Sequence, residues 1–115
     1  MTQPVFFDRS TAKVVPVYDG KATSYRMLTR EATGFDKLGF HVSEGPYGLS
    51  GKDQVVAGRD EVIFIIEGSM DIGIGGERRT LEVGQGVLIP ADCTFDWAAG
   101  PNGWKAVIVF TPPLE

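Results

Sequence analysis

The sequence has one cysteine and one histidine in 115 residues. A lone cysteine excludes an internal disulfide, the usual staple of small secreted domains. A lone histidine, His41, excludes the clusters of two or three imidazoles from which most transition-metal sites are built within one chain. Consecutive apolar residues never approach the roughly 20 that a spanning helix needs. Positive charge is not in excess either: 11 basic against 15 acidic side chains leave a formal net charge of −4. That balance speaks against nucleic acid or an anionic membrane as partner, because both demand a basic face. The segment Met1 to Phe7 lacks the basic stretch and long apolar run of a signal peptide. These absences point to a single cytoplasmic domain spanning residues 1–115.

Helical periodicity is also scarce; Arg30–Phe35 has room for one turn. What is present is 15 glycines and 7 prolines spread along the chain, separating short runs rich in Val, Ile, Phe and Tyr. That is how an all-β domain reads. The expected strands are Val14–Tyr18, Tyr25–Thr29, Leu38–Ser43, Glu61–Glu67, Met70–Ile74, Arg79–Glu82, Val87–Pro90, Thr94–Trp97 and Lys105–Phe110. Turn signals stand between them at Asp19-Gly20, Gly45-Pro46, Glu67-Gly68, Gly75-Gly76, Gly100-Pro101 and Asn102-Gly103. The clearest hairpin joins Met70–Ile74 to Arg79–Glu82 through Gly75-Gly76. Many short strands at regular spacing imply a sandwich or small barrel.

Two segments resemble the signatures of the cupins. Gly48, Glu61 and Gly68 fall at the spacing of the first cupin motif, and Gly84 and Pro90 at that of the second. Residues 48–68 and 84–99 therefore look like the two motifs, and the flanking strands are consistent with the rest of such a fold. The resemblance implies a double-stranded β-helix, a jelly-roll-like small barrel. The family's metal-ligand positions are altered. Its paired histidines fall on Gln54 and Val56, or on Val55 and Ala57 at the shorter spacing, and its second-motif histidine falls on Phe95. Asp92 and Ala99 replace that motif's second glycine and its asparagine. Of four family ligands only Glu61 is kept, and one carboxylate does not hold Zn²⁺, Fe²⁺ or Mn²⁺, which need three or more strong donors. No metal or other cofactor is expected. In this the chain resembles the metal-poor branch with the ethanolamine-utilisation Q-type and ureidoglycine-aminohydrolase-like cupins.

Strand parity sketches a pocket. With Glu61 inward, Ile63 and Ile65 follow on the same face, while Val62, Phe64 and Ile66 point away. Phe95 inward brings Cys93 and Trp97 with it. The cavity expected is apolar-walled with one charged group, as small-molecule sites generally are. Desolvated there, Glu61 is a candidate general acid or base; its bland alternative is a strand-end carboxylate paired with Arg59 or Lys52. His41 is either a proton shuttle beside it or a structural histidine. Tyr47 either orients a substrate oxygen or packs a turn, and Lys52 and Arg59 flank the expected mouth. Cys93 has acidic neighbours, Asp92 and Asp96, that oppose a reactive thiolate, so it reads as a buried wall residue. The Gly73-x-Gly75-Gly76 run lacks the following Lys and helix of a phosphate loop.

Three functions follow from this pocket. The first is metal-independent acid–base chemistry of lyase, isomerase or dehydratase type, with Glu61 and His41 catalytic, on a small, partly apolar carbonyl or hydroxy compound. A convergent Glu61–His41 pair within about 7 Å is what that reading asks for. The second is a metabolite-binding module without catalysis. The third is a weak Mn²⁺ or Mg²⁺ site rebuilt from His41, Glu61 and Glu44 or Asp60. The apolar N-terminal strands within residues 1–30, including Val5-Phe6-Phe7 and Val14–Val17, are unusual for edge positions and predict a homodimer.

Overall fold

A computed structural model describes residues 3–115, so the first two residues of the N-terminal stretch expected at a dimer interface lie outside it. The fold is antiparallel β throughout. Its strands are β1 (Lys13–Val17), β2 (Ala22–Leu28), β3 (Gly39–Gly45), β4 (Ser50–Val55), β5 (Asp60–Ile74), β6 (Glu77–Glu82), β7 (Gly86–Ile89) and β8 (Thr94–Thr111). The helical turn expected after residue 30 is α1, Arg30–Thr33. The Thr29 side chain caps it by accepting from the Ala32 N–H, and Gly34 ends it in the left-handed region at φ 75°. Among the described residues no helix is long and apolar enough to cross a membrane.

Two strands are longer than their sequence suggests. The residues expected as Glu61–Glu67 and Met70–Ile74 are one strand, β5, and those expected as Thr94–Trp97 and Lys105–Phe110 are one strand, β8. The turn signal at Glu67-Gly68 is a bulge: the β5–β8 register shifts between Ile65 and Glu67 and again between Gly68 and Met70. Gly68 is required there. It sits at φ 70°, and a Cβ on it would strike the Gly103 carbonyl across the strand pair. The hairpin expected at Gly75-Gly76 is found, with Ile74 paired to Glu77 and both glycines at positive φ, as a two-residue primed turn demands.

The bulges divide β5 and β8 between two layers. The first half of β5 (60–67) lies between β7 and the second half of β8, followed by β3, β2 and β1. The second half of β5 (70–74) lies between β6 and the first half of β8, which β4 flanks. Ile63, Ile65, Ile89, Ala106, Ile108 and Phe110 from one layer meet Met70, Ile72, Leu81, Phe95 and Trp97 from the other. Trp97 and Trp104 touch edge to face, 5.1 Å between centroids. Burial on β5 alternates as strand parity predicts: Glu61, Ile63 and Ile65 are inside, while Val62, Phe64 and Ile66 are exposed.

Candidate active site

Between the layers lies a cavity of about 350 Å³. Its floor and walls are largely apolar: Ile63, Met70, Phe95, Trp97, Trp104 and Phe110 line it. Its polar groups come from several strands: Glu61 from β5, Gln54 from β4, and Ser24, Arg26, His41 and Ser43 from β2 and β3. Tyr18, Val55 and Leu114 line it but remain partly exposed, which places them at the mouth.

Glu61 is 8% exposed and its Oε1 has no hydrogen-bond partner. Burial alone pushes its carboxyl up to about 7, because an ionised carboxylate loses hydration that no neighbour replaces. Neither suggested cation pairs with it. Arg59 donates instead to the Pro113 and Ala57 carbonyls, at 2.9 and 3.3 Å. His41 is 2% exposed and its Nε2 is likewise unpartnered. Burial first, and then the Arg26 charge, push it down to about 4, partly opposed by Glu115.

Both groups line the cavity, yet they do not hydrogen-bond to each other. His41 stands opposite Ile108, and Glu61 opposite Phe110 two residues further along β8. Their backbones are thus two strands and two residues apart, about 12 Å on sheet spacing. The Phe110 ring packs against the edge of the imidazole, 5.3 Å between centroids.

Of the other expected site residues, Ile63, Phe95 and Trp97 line the cavity. Ile65 does not; it is wholly buried at the β5 bulge, in the core past the cavity floor. Cys93 does not line the cavity; just before β8, between exposed Asp92 and Thr94, it packs half-buried against the core. Tyr47 is 69% exposed in the β3–β4 turn, away from the cavity. Glu44 and Asp60 do not line it either. Glu44 accepts from the Tyr25 hydroxyl at 3.0 Å and pairs with Arg9, and Asp60 accepts from the Ala91 N–H at 2.9 Å.

Among the cavity residues that escape the sequence reading, two carry ionisable side chains, Tyr18 and Arg26. Tyr18 leaves β1 at φ 53°, at the start of the β1–β2 turn. Burial, and then the charge of Glu61, raise its phenol, with a hydrogen-bonding contribution from the Trp97 indole partly offsetting them. Arg26 lies opposite His41 in the β2–β3 register. Its Nη1 pairs with the Glu115 carboxylate at 2.8 Å and its Nε donates to the Ser24 hydroxyl at 3.3 Å.

The metal that the fold family implies does not fit these residues. Where cupin ligands stand, this chain presents an amide, Gln54, whose Nε2 donates to the Lys52 carbonyl at 3.0 Å, and the side chains of Val56 and Phe95. Glu61 is the one strong donor, and among the described residues no three His, Cys, Asp or Glu side chains converge.

No protein-family model matches the chain, and no curated protein matches it in sequence. Solved structures do match its fold. KdgF from Halomonas sp. superposes with a TM-score of 0.81 at 15% identity, covering 96% of this chain and 94% of that one. An RmlC-like cupin from Shewanella frigidimarina gives 0.78 at 16% identity, covering 100% and 97%. The EutQ protein of Clostridium difficile gives 0.65 at 21% identity, covering 94% and 81%. The chain therefore has the fold of a small cupin.

Proposed function

We propose that the protein is a small-molecule enzyme of the cupin fold that works by metal-independent acid–base chemistry, with Glu61 as the proton-transfer group. One observation carries this reading: a single carboxyl, buried and unpartnered in an apolar cavity, with its proton affinity raised to about 7. Such a group is populated as both acid and base near neutrality, where proton transfer is most effective. A conformer of the substrate with a C–H bond next to its carbonyl turned toward Glu61 would lose that proton to the carboxylate. Tyr18, at the mouth and within the field of Glu61, is the neutral donor available to the oxygen that gains charge. Return of the proton to a neighbouring carbon gives an isomerase; loss of a β-hydroxyl as water, protonated on departure, gives a dehydratase. His41 is held neutral and serves as a hydrogen-bonding group of the pocket. The EutQ likeness and the missing ligands together support the metal-poor branch.

The second reading, a metabolite-binding module, is favoured by the absence of a hydrogen bond between Glu61 and His41. Incubation of small hydroxy-carbonyl compounds with the protein in D₂O, followed by NMR, separates the two. Wild-type protein should incorporate deuterium next to the carbonyl, and E61Q should do so at least about 100-fold more slowly. Full exchange by E61Q would sink the acid–base reading. Binding without exchange in the wild type would leave the binding module.

A further inference from the structure

We propose that Arg26 is the anion-recognition residue of the cavity, that its ligand is a small carboxylate, and that the Glu115 carboxylate holds that position when no ligand is bound. The inference rests on the cavity being a small-molecule site and names the class of compound it takes.

Arg26 is the only lysine or arginine among the residues lining the cavity. Its side chain is 15% exposed, and a guanidinium that far out of water is costly unless a carboxylate faces it. The carboxylate that does so is supplied from outside the cavity lining. Glu115 reaches Arg26 at 2.8 Å, and Lys13 steadies it from the solvent side at 3.3 Å. Glu115 belongs to the short segment that follows β8. The Arg30 N–H donates to the Glu115 main-chain oxygen at 2.8 Å, Arg59 holds the Pro113 carbonyl, and Leu114 covers part of the mouth. The segment thus lies as a strap from which one carboxylate reaches the cationic group of the pocket.

Exchange of one carboxylate for another leaves Arg26 satisfied, so an anionic ligand meets no penalty of stripping a bare guanidinium. It also gains groups that Glu115 leaves unused. The His41 Nε2, 2% exposed and beside Arg26 in register, is unpartnered. Ser43 accepts from the Trp104 indole at 3.3 Å, leaving its own hydroxyl hydrogen free to donate. A hydroxy or keto acid with its carboxylate on Arg26 extends across the Ile108–Phe110 wall toward Glu61. The donor strip on β2–β3 and the acid on β5 then address two ends of one molecule.

Trp97 and Trp104 both line the cavity, so their fluorescence reports occupancy. The probes are lactate and mandelate, each titrated beside its neutral amide. The carboxylates should bind more tightly than the amides. E115Q, which removes the competing charge, should tighten carboxylate binding roughly tenfold and leave the amides unchanged. R26M should abolish the preference. Thermal unfolding of E115Q provides the control for folding independent of the Arg26 variant. Equal affinity for carboxylates and amides, or no binding of either, in both wild type and E115Q overturns the inference. The two readings fail separately. Arg26-dependent carboxylate binding with E61Q fully active would remove the acid–base function alone; E61Q-sensitive exchange without a carboxylate preference would remove this inference alone.

Discussion

The β5 wall and the β2–β3 wall of the cavity each bury one ionisable group with an unpartnered atom, and each drives that group to its neutral form. On β5, Glu61 is raised to about 7 by burial alone. On β3, His41 is lowered to about 4, by burial and by the cation next to it. Desolvation acts alike on both, and it favours the protonated carboxyl but the deprotonated imidazole. The walls differ in what surrounds the group. His41 sits beside the Arg26–Glu115 ion pair, whereas Glu61 has no charged side chain among the causes of its shift. The lesson is that burial without a charged partner and burial beside a formed ion pair both favour the neutral form, but only the first leaves the group's proton affinity set by desolvation alone.

The two groups have opposite effects on stability versus pH. Glu61 has its folded value raised above the unfolded 4.5, so the stability it contributes is present at low pH and is lost as pH rises from about 4.5 through about 7. His41 has its folded value depressed below 6.5, so its contribution is present above about 6.5 and lost as pH falls through about 4. Between about 4.5 and 6.5 the slopes oppose each other. Wild-type stability should therefore vary little there, on account of these two groups, in denaturant titrations at stepped pH.

The largest expected effect breaks this balance from the β5 side. E61Q should be less stable at pH 4.5 than at pH 6.5 by about 2 kcal/mol, since the His41 slope is no longer opposed. A flat profile in E61Q would show that the two walls are not a matched pair. From the other side, H41Q should lose stability as pH rises from 4.5 to 6.5, by a similar or smaller amount because the Gln amide brings its own hydrogen-bond demands. The smallest effect concerns the ion pair. With a single histidine in the chain, the imidazole C2 proton in an NMR titration is unambiguous. It should titrate near pH 4 in the wild type and somewhat higher in R26M, with most of the depression kept because burial is the larger cause. A full return to 6.5 in R26M would instead make the cation the dominant influence on that wall.

Much of this arrangement was legible in the sequence, and what was not has physical reasons. Alternation along residues 61–66 places Glu61 and Ile63 inward, as found. The same alternation carries to Cys93, which lies between exposed Asp92 and Thr94 and packs against the core, although it does not line the cavity. Gly68 reads equally as a turn or a bulge, because both need a residue free to take positive φ; long-range pairing with β8 decides for the bulge. Strand β4, Ser50–Val55, carries polar residues without alternation and has β8 as its strand partner, so no local pattern announces it. Arg26 and Glu115 are 89 positions apart in sequence, and their meeting beside the cavity follows from topology that no spacing reveals.

The shared strand pair β5–β8 also has a kinetic consequence. Asp60 pairs with Thr111 and Ile74 with Phe95, so the two layers cannot be joined until residues distant in sequence have met. The cavity is enclosed by that same pairing, with Glu61 and Ile63 on one strand and Phe95, Trp97 and Phe110 on the other. Closing such loops costs entropy before the core can repay it, which puts folding in the millisecond-to-second range typical of non-local β topologies. The long-range pairing that joins the layers is thus the same pairing that builds one side of the pocket, so substitutions along the β5–β8 seam are expected to change folding rate and site together, which stopped-flow refolding of seam variants checks.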